Sequence, residues 1–151
     1  MIYISHRGNL NGPNPQFENA PDYIDATIDK RFCVEVDLWY DGDRLSLGHD
    51  APQYNIHIDW LMTRTQYLFI HCKNQKSLDL CLRNNLNCFF HVNDDYTLTS
   101  RGYTWCYPGQ EAAGLLSIAV MPEKVMDIKT FKNSGKKYFG VCSDYVEMLN
   151  T

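Results

Sequence analysis

Between Cys33 and Asp50 the chain reads CVEVDLWYDGDRLSLGHD. Two carboxylates and a histidine in one such stretch are the residue types that hold a hard cation and move a proton. Val34, Val36 and Leu38 alternate with Glu35, Asp37 and Trp39, which is the period of a β-strand. One face is then aliphatic, and the other sets Glu35 beside Asp37. Asp41-Gly42 signals a hairpin, after which Leu45 and Leu47 alternate until the strand runs out at Gly48-His49-Asp50. The hairpin returns His49 and Asp50 toward Glu35 and Asp37. At such a strand end Glu35 is expected to face solvent, so that Glu35→Gln leaves the fold intact.

Other short strands also end in polar, reactive residues. Ile2-Tyr3-Ile4-Ser5 breaks at His6-Arg7-Gly8, Leu68-Phe69-Ile70 runs into His71-Cys72-Lys73, and Gly140-Val141-Cys142 ends at Ser143-Asp144. Parallel barrels present their active sites in this way. Between them the pattern predicts a helix over 20–30 with Pro21 in its first turn. Loop and a short helix follow over 51–65, and a helix over 75–84 is capped by Asn74. Residues 94–101 have room for one or two helical turns at most, and a helix opens at Pro122 and ends near Gly135. Strands fall at 87–92, 103–107, 115–120 and 138–143. Strands alternating with helices, without repeats or a low-complexity linker, indicate one α/β domain over 1–151 with a parallel sheet. Trp105 and Tyr107 either wall a pocket or fill the core, and His57 has no visible partner.

The ordered set His6-Arg7-Gly8, Glu18-Asn19, Glu35-x-Asp37, Gly48-His49-Asp50 and the closing Gly-Val-Cys-Ser-Asp resembles the glycerophosphodiester phosphodiesterase family. That family is a branch of the phospholipase-C-like barrel phosphodiesterases. The match runs from Ile2 to Asp50 and more loosely from Leu68 to Leu149. It implies a TIM-type (β/α) barrel, but such barrels ordinarily need roughly 200 residues or more. At 151 residues the chain is expected to be a reduced barrel. It would have about seven or eight mostly parallel strands and several shortened or missing outer helices. An open doubly wound sheet is the alternative.

The resemblance also implies metal-assisted hydrolysis of a small glycerophosphodiester-like phosphodiester by a two-histidine acid/base mechanism. His6 and His49 form the pair, and histidine titrates near neutrality, as such a pair requires. Glu35 and Asp37 match the metal ligands, and Glu18 either lies close to the metal as a further ligand or orders the loop. Oxygen-rich ligation suits Mg²⁺ or Ca²⁺. Arg7, a planar fork, and Lys73, a point charge, are the phosphate contacts. The chain departs from the family where Glu-x-Lys becomes His71-Cys72-Lys73. The lysine is kept, but an imidazole ligand replaces a carboxylate and admits Mn²⁺ or Zn²⁺. Two alternatives stay open: a lyase that stops at a cyclic phosphate, and a non-enzymatic barrel that binds a phosphorylated ligand.

Composition narrows the partners. Apolar residues make up 44% and charged residues 21%, with a net charge of −4, which offers no basic surface for nucleic acid or an anionic membrane. No apolar run reaches the roughly 18 residues of a spanning helix, and no signal peptide is visible. The chain therefore reads as cytoplasmic, without membrane insertion. The six cysteines show neither CxxC nor zinc-module spacing, and they read as buried thiols rather than disulfides.

Overall fold

The computed structural model describes residues 1–112 and 114–151. Strand β1 (Ile2–His6) leads through a loop to helix α1 (Pro21–Asp29), and then to β2 (Cys33–Tyr40), β3 (Leu45–Leu47) and β4 (Tyr54–Ile56). Helix α2 (Ile58–Met62), β5 (Leu68–Cys72), α3 (Gln75–Arg83) and β6 (Cys88–Phe89) follow. Strands β7 (Tyr96–Leu98), β8 (Thr104–Cys106) and β9 (Ser117–Val120) come next, then α4 (Ile128–Asn133), β10 (Gly140–Ser143) and α5 (Val146–Asn150). Strands β1, β2, β5, β6, β8, β9 and β10 pair in parallel, while β3, β4 and β7 join antiparallel.

The parallel strands lie in the order β6-β5-β2-β1-β10-β9-β8. Successive strands sit side by side and β10 returns to β1, without the reversal of direction that a doubly wound sheet contains. The sheet is curled. Ile4, Phe69, Phe89, Trp105, Ile118, Val120 and Cys142, from strands all along it, meet in one inner cluster. The ring is nevertheless not closed by a ladder. Among the described residues, β6 meets the β7–β8 segment only through single bonds, such as Ser100 N to Cys88 O (2.7 Å) and Thr97 Oγ1 to Phe90 O (3.1 Å). Stacking of Phe89 on Trp105, with centroids 4.6 Å apart, fills the seam. Of the reduced TIM-type barrel expected, the curled, mostly parallel sheet of a mixed α/β fold with few helices is present, while the closed ring of a TIM barrel is not.

Helices are few and lie outside the curl. The aliphatic side of β2 (Val34, Val36, Leu38) and of β5 (Leu68, Ile70, Cys72) packs in one cluster with Ile24, Leu61 and Cys81. Helix α3 is capped by Asn74, as the sequence indicates, and Ser77 completes a reciprocal capping box. Three stretches differ from expectation. Tyr96–Leu98 is a strand on β8 rather than a helical turn, because an aromatic and a β-branched residue alternate there against a partner. The helix expected from Pro122 is a 3₁₀ turn followed by α4, and Asp127 starts the second piece by accepting Thr130 N. Residues 51–65 contain β4 besides the short helix, and the His57 ring accepts Asp59 N as the cap of α2. All six cysteines are free thiols. Among the described residues no helix is long and apolar enough to cross a membrane.

Candidate functional site

Strand β2 outruns β1, and this sets the site. Carbonyls of alternate residues point to the same edge of a strand. On one edge of β2, Glu35 O accepts Arg7 N (3.0 Å) and Asp37 O accepts Gly48 N (3.1 Å); on the other, Leu38 O accepts Lys73 N (2.8 Å). The end of β3 therefore takes over the edge that β1 leaves, and His49 comes to the cavity that His6 and Arg7 also line. Gly8 is required here: its φ is +94°, and a Cβ would stand 2.6 Å from the Tyr23 ring. Arg7 (φ 55°) and Asn19 (φ 64°) also hold left-handed backbone. Such conformations are costly for non-glycine residues and gather at functional sites.

Parallel register puts Glu35 beside His6 and Asp37 beside His71. Glu35 and Asp37 are 3% and 0% exposed, so the expectation of a solvent-facing Glu35 is corrected. His71 Nδ1 lies 3.1 Å from Asp37 Oδ1 and 3.8 Å from Glu35 Oε1. Among the described residues these three form a group able to hold a metal ion. Asp37 Oδ2 is held by Asn19 Nδ2 (3.0 Å), with Arg7 Nε at 2.9 Å, and Asn19 Oδ1 accepts Asp37 N (2.9 Å). Lys73 Nζ is 3.4 Å from Asp37 Oδ1. Yet Glu35 Oε2 and Asp37 Oδ1 are buried without a hydrogen-bond partner. Asp37 Oδ1 does have His71 and Lys73 beside it, but a buried oxygen with no partner, as Glu35 Oε2 is, is expensive unless a cation completes it. This donor set fits a divalent ion.

Electrostatics separate the two carboxylates. Burial and the neighbouring Asp37 raise the pKa of Glu35. Burial pushes Asp37 the same way, but contact with His71, Arg7 and Lys73 outweighs it and holds Asp37 well below the ordinary carboxylate range. Glu18 does not enter the group. Its oxygens are taken by Asn9 Nδ2 (2.8 Å) and Arg7 Nη1 (3.2 Å), so it orders the loop and the guanidinium.

The histidines are pushed apart. Burial opposes charge on His6, but Asp144 Oδ1 at 2.8 Å from Nδ1, with Glu35 nearby, raises its pKa. Burial and then Arg7 lower that of His49, whose Nδ1 is 2.7 Å from Asp50 Oδ1. In each ring the carboxylate contact at Nδ1 leaves Nε2 for other chemistry. Asp144 is itself gripped: Asn9 Nδ2 donates to it at 2.8 Å, and Glu123 Oε1 accepts its N–H at 2.8 Å.

His6, Arg7, Glu35, His49 and His71 line one cavity of about 150 Å³, with Trp105 and Tyr107 among its aromatic walls. Lys73 lies beside Asp37 and is not among the lining residues. The sequence assigns no role to Asn9, and it places Asn19, His91 and Asp144 in motifs or at strand ends without a role. His91 lies against His71 (4.8 Å) and Tyr107 (4.0 Å), and burial and His71 lower its pKa to about 4. The strand-end Ser143-Asp144 was the one available signal for Asp144. Comparison of the chain with family models, curated proteins and solved structures finds no match.

Proposed function

We propose that this chain is a metal-assisted phosphodiesterase for a small glycerophosphodiester-like substrate, built as a reduced barrel whose seam is filled by side chains. The observation that carries the reading is the meeting of His6, His49, Glu35 and His71 on one small cavity, with Asp37 buried against His71. Glu35, Asp37 and His71 would hold the cation. A bound divalent ion supplies charge stabilisation at phosphoryl oxygens. Arg7 and Lys73 add positive charge for the same oxygens. His49, kept neutral, takes the proton of the attacking hydroxyl, while His6, kept charged by Asp144, gives one to the leaving alkoxide.

The test is turnover of bis(4-nitrophenyl) phosphate and of glycerophosphocholine with and without chelation. Hydrolysis should vanish on chelation and return with Mg²⁺, Ca²⁺ or Mn²⁺. Undiminished turnover after exhaustive chelation, or none with any of these ions or Zn²⁺, contradicts the proposal. Phosphorus NMR of the products separates a hydrolase from a lyase that stops at the cyclic phosphate.

A further inference from the structure

Among the described residues two groups of metal-ligating side chains come together, and the second consists only of sulfur. Cys72 ends β5, Cys81 lies in α3 and Cys88 opens β6, so one strand–helix–strand unit brings them to the interface between helix and sheet. Their Sγ atoms all lie within 4.8 Å of one another, at 0%, 0% and 1% exposure. They stand on the outer side of the sheet, in the aliphatic cluster, away from the cavity of the carboxylates. Cys88 also borders an open groove with Leu82, Phe90, Leu98 and Ser100, at the seam where no ladder closes the sheet. The cluster is thus buried, with Cys88 its one member on the groove.

We propose that Cys72, Cys81 and Cys88 form a zinc site, three thiolates holding the ion and a water from the groove completing the tetrahedron. Zinc takes sulfur at about 2.3 Å, which places tetrahedral sulfurs about 3.8 Å apart. Closing the present cluster to that spacing takes at most about 1 Å, within the reach of side-chain rotation. Three thiols give up three protons, Zn²⁺ + 3 RSH → [Zn(SR)₃]⁻ + 3 H⁺, and the net charge of −1 decides the ion. A monovalent soft ion would leave −2 in an aliphatic cluster, which is costlier to bury. Harder ions do not select thiolate.

The test uses the full chain, reduced and freed of metal, and titrates it with Cd²⁺ as a spectroscopic stand-in for Zn²⁺. Thiolate-to-cadmium charge transfer absorbs in the ultraviolet, whereas the Glu35–Asp37–His71 group contains no sulfur and gives no such band. The expected result is a band that saturates at one equivalent with the amplitude of three thiolates, disappears on adding Zn²⁺, and is accompanied by proton release. Cys81→Ser should lose about a third of the amplitude and bind at least about tenfold more weakly. Cys142→Ser, equally buried but outside the cluster, should match the parent. No band in the folded wild-type chain, an amplitude below three thiolates, or a band undiminished in Cys81→Ser overturns the site. The wild-type amplitude decides the matter even where a variant fails to fold.

Discussion

The two faces of β2 and β5 are built on opposite terms. Outward, Val34, Val36, Leu38, Leu68, Ile70 and Cys72 are at most 2% exposed and pack against the helices. Inward, the same strands carry Glu35 and Asp37, nearly as enclosed, and the half-buried His71, with two carboxylate oxygens lacking a hydrogen-bond partner. One face is fully satisfied. The other holds a deficit that a cation would remove. Because the side-chain period is two, a one-residue slip would exchange the faces, so the packed face fixes the register on which the inner one depends.

The largest effects should come from the proton-moving groups of the inner face. His49→Ala should lose about 10²–10⁴ in kcat with an unchanged melting temperature, since its side chain is 44% exposed. His6→Ala should fall comparably, and the double variant by less than the product. In the wild type, kcat/KM should rise with pH as His49 deprotonates, below its ordinary value, and fall as His6 does, above its own. Between the two the profile should be flat. Near-parental rates in either single variant would reduce that histidine to a structural residue.

Ile70→Ala probes the other face. It should cost about 2–5 kcal/mol in urea unfolding, while cation affinity below the transition stays at the parental value. A loss of binding as great as that of a ligand variant would break the separation between the faces.

His71 sharpens the comparison within the inner face. His71→Ala should weaken Mg²⁺ and Mn²⁺ by at least about tenfold, and His71→Glu should tighten Mg²⁺ or Ca²⁺ relative to the parent. Calorimetry that finds His71→Ala unchanged would leave the third ligand position to water.

The inner face was legible in the sequence where local period controls it. Alternation set Glu35 and Asp37 opposite the valines, and the Asp41-Gly42 turn returned His49 to them. It was not legible where distant segments meet. Asp144 reaches His6 across 138 residues, through the β1–β10 pairing, and no short pattern encodes that. Asn19 brackets Asp37 only because a left-handed residue turns it inward. Burial of Glu35 was misjudged because alternation distinguishes faces, not solvent from the inside of a curl. Cys72, Cys81 and Cys88 are spaced across a strand, a helix and a strand, so they resemble no metal motif.

The smallest effect concerns stability. Glu35 titrates higher in the folded chain than in the unfolded one, so the unfolded chain releases that proton first. The metal-free fold then loses stability as pH rises through and above the ordinary glutamate range. Glu35→Gln removes that penalty. Its metal-free melting temperature near neutral pH should exceed the parent's, by about 2–4 °C for each kcal/mol relieved. A lower melting temperature would mean that the carboxylate is satisfied within the chain.

Calorimetric titration of the folded wild-type chain and of folded Glu35→Gln with Mn²⁺ is the most direct measurement. The unpartnered oxygens predict one Mn²⁺ on the folded parent and none, or binding weaker by at least about tenfold, on the folded variant. Equal affinity in the two proteins would contradict the claim that Glu35 is kept without a partner for a metal ion.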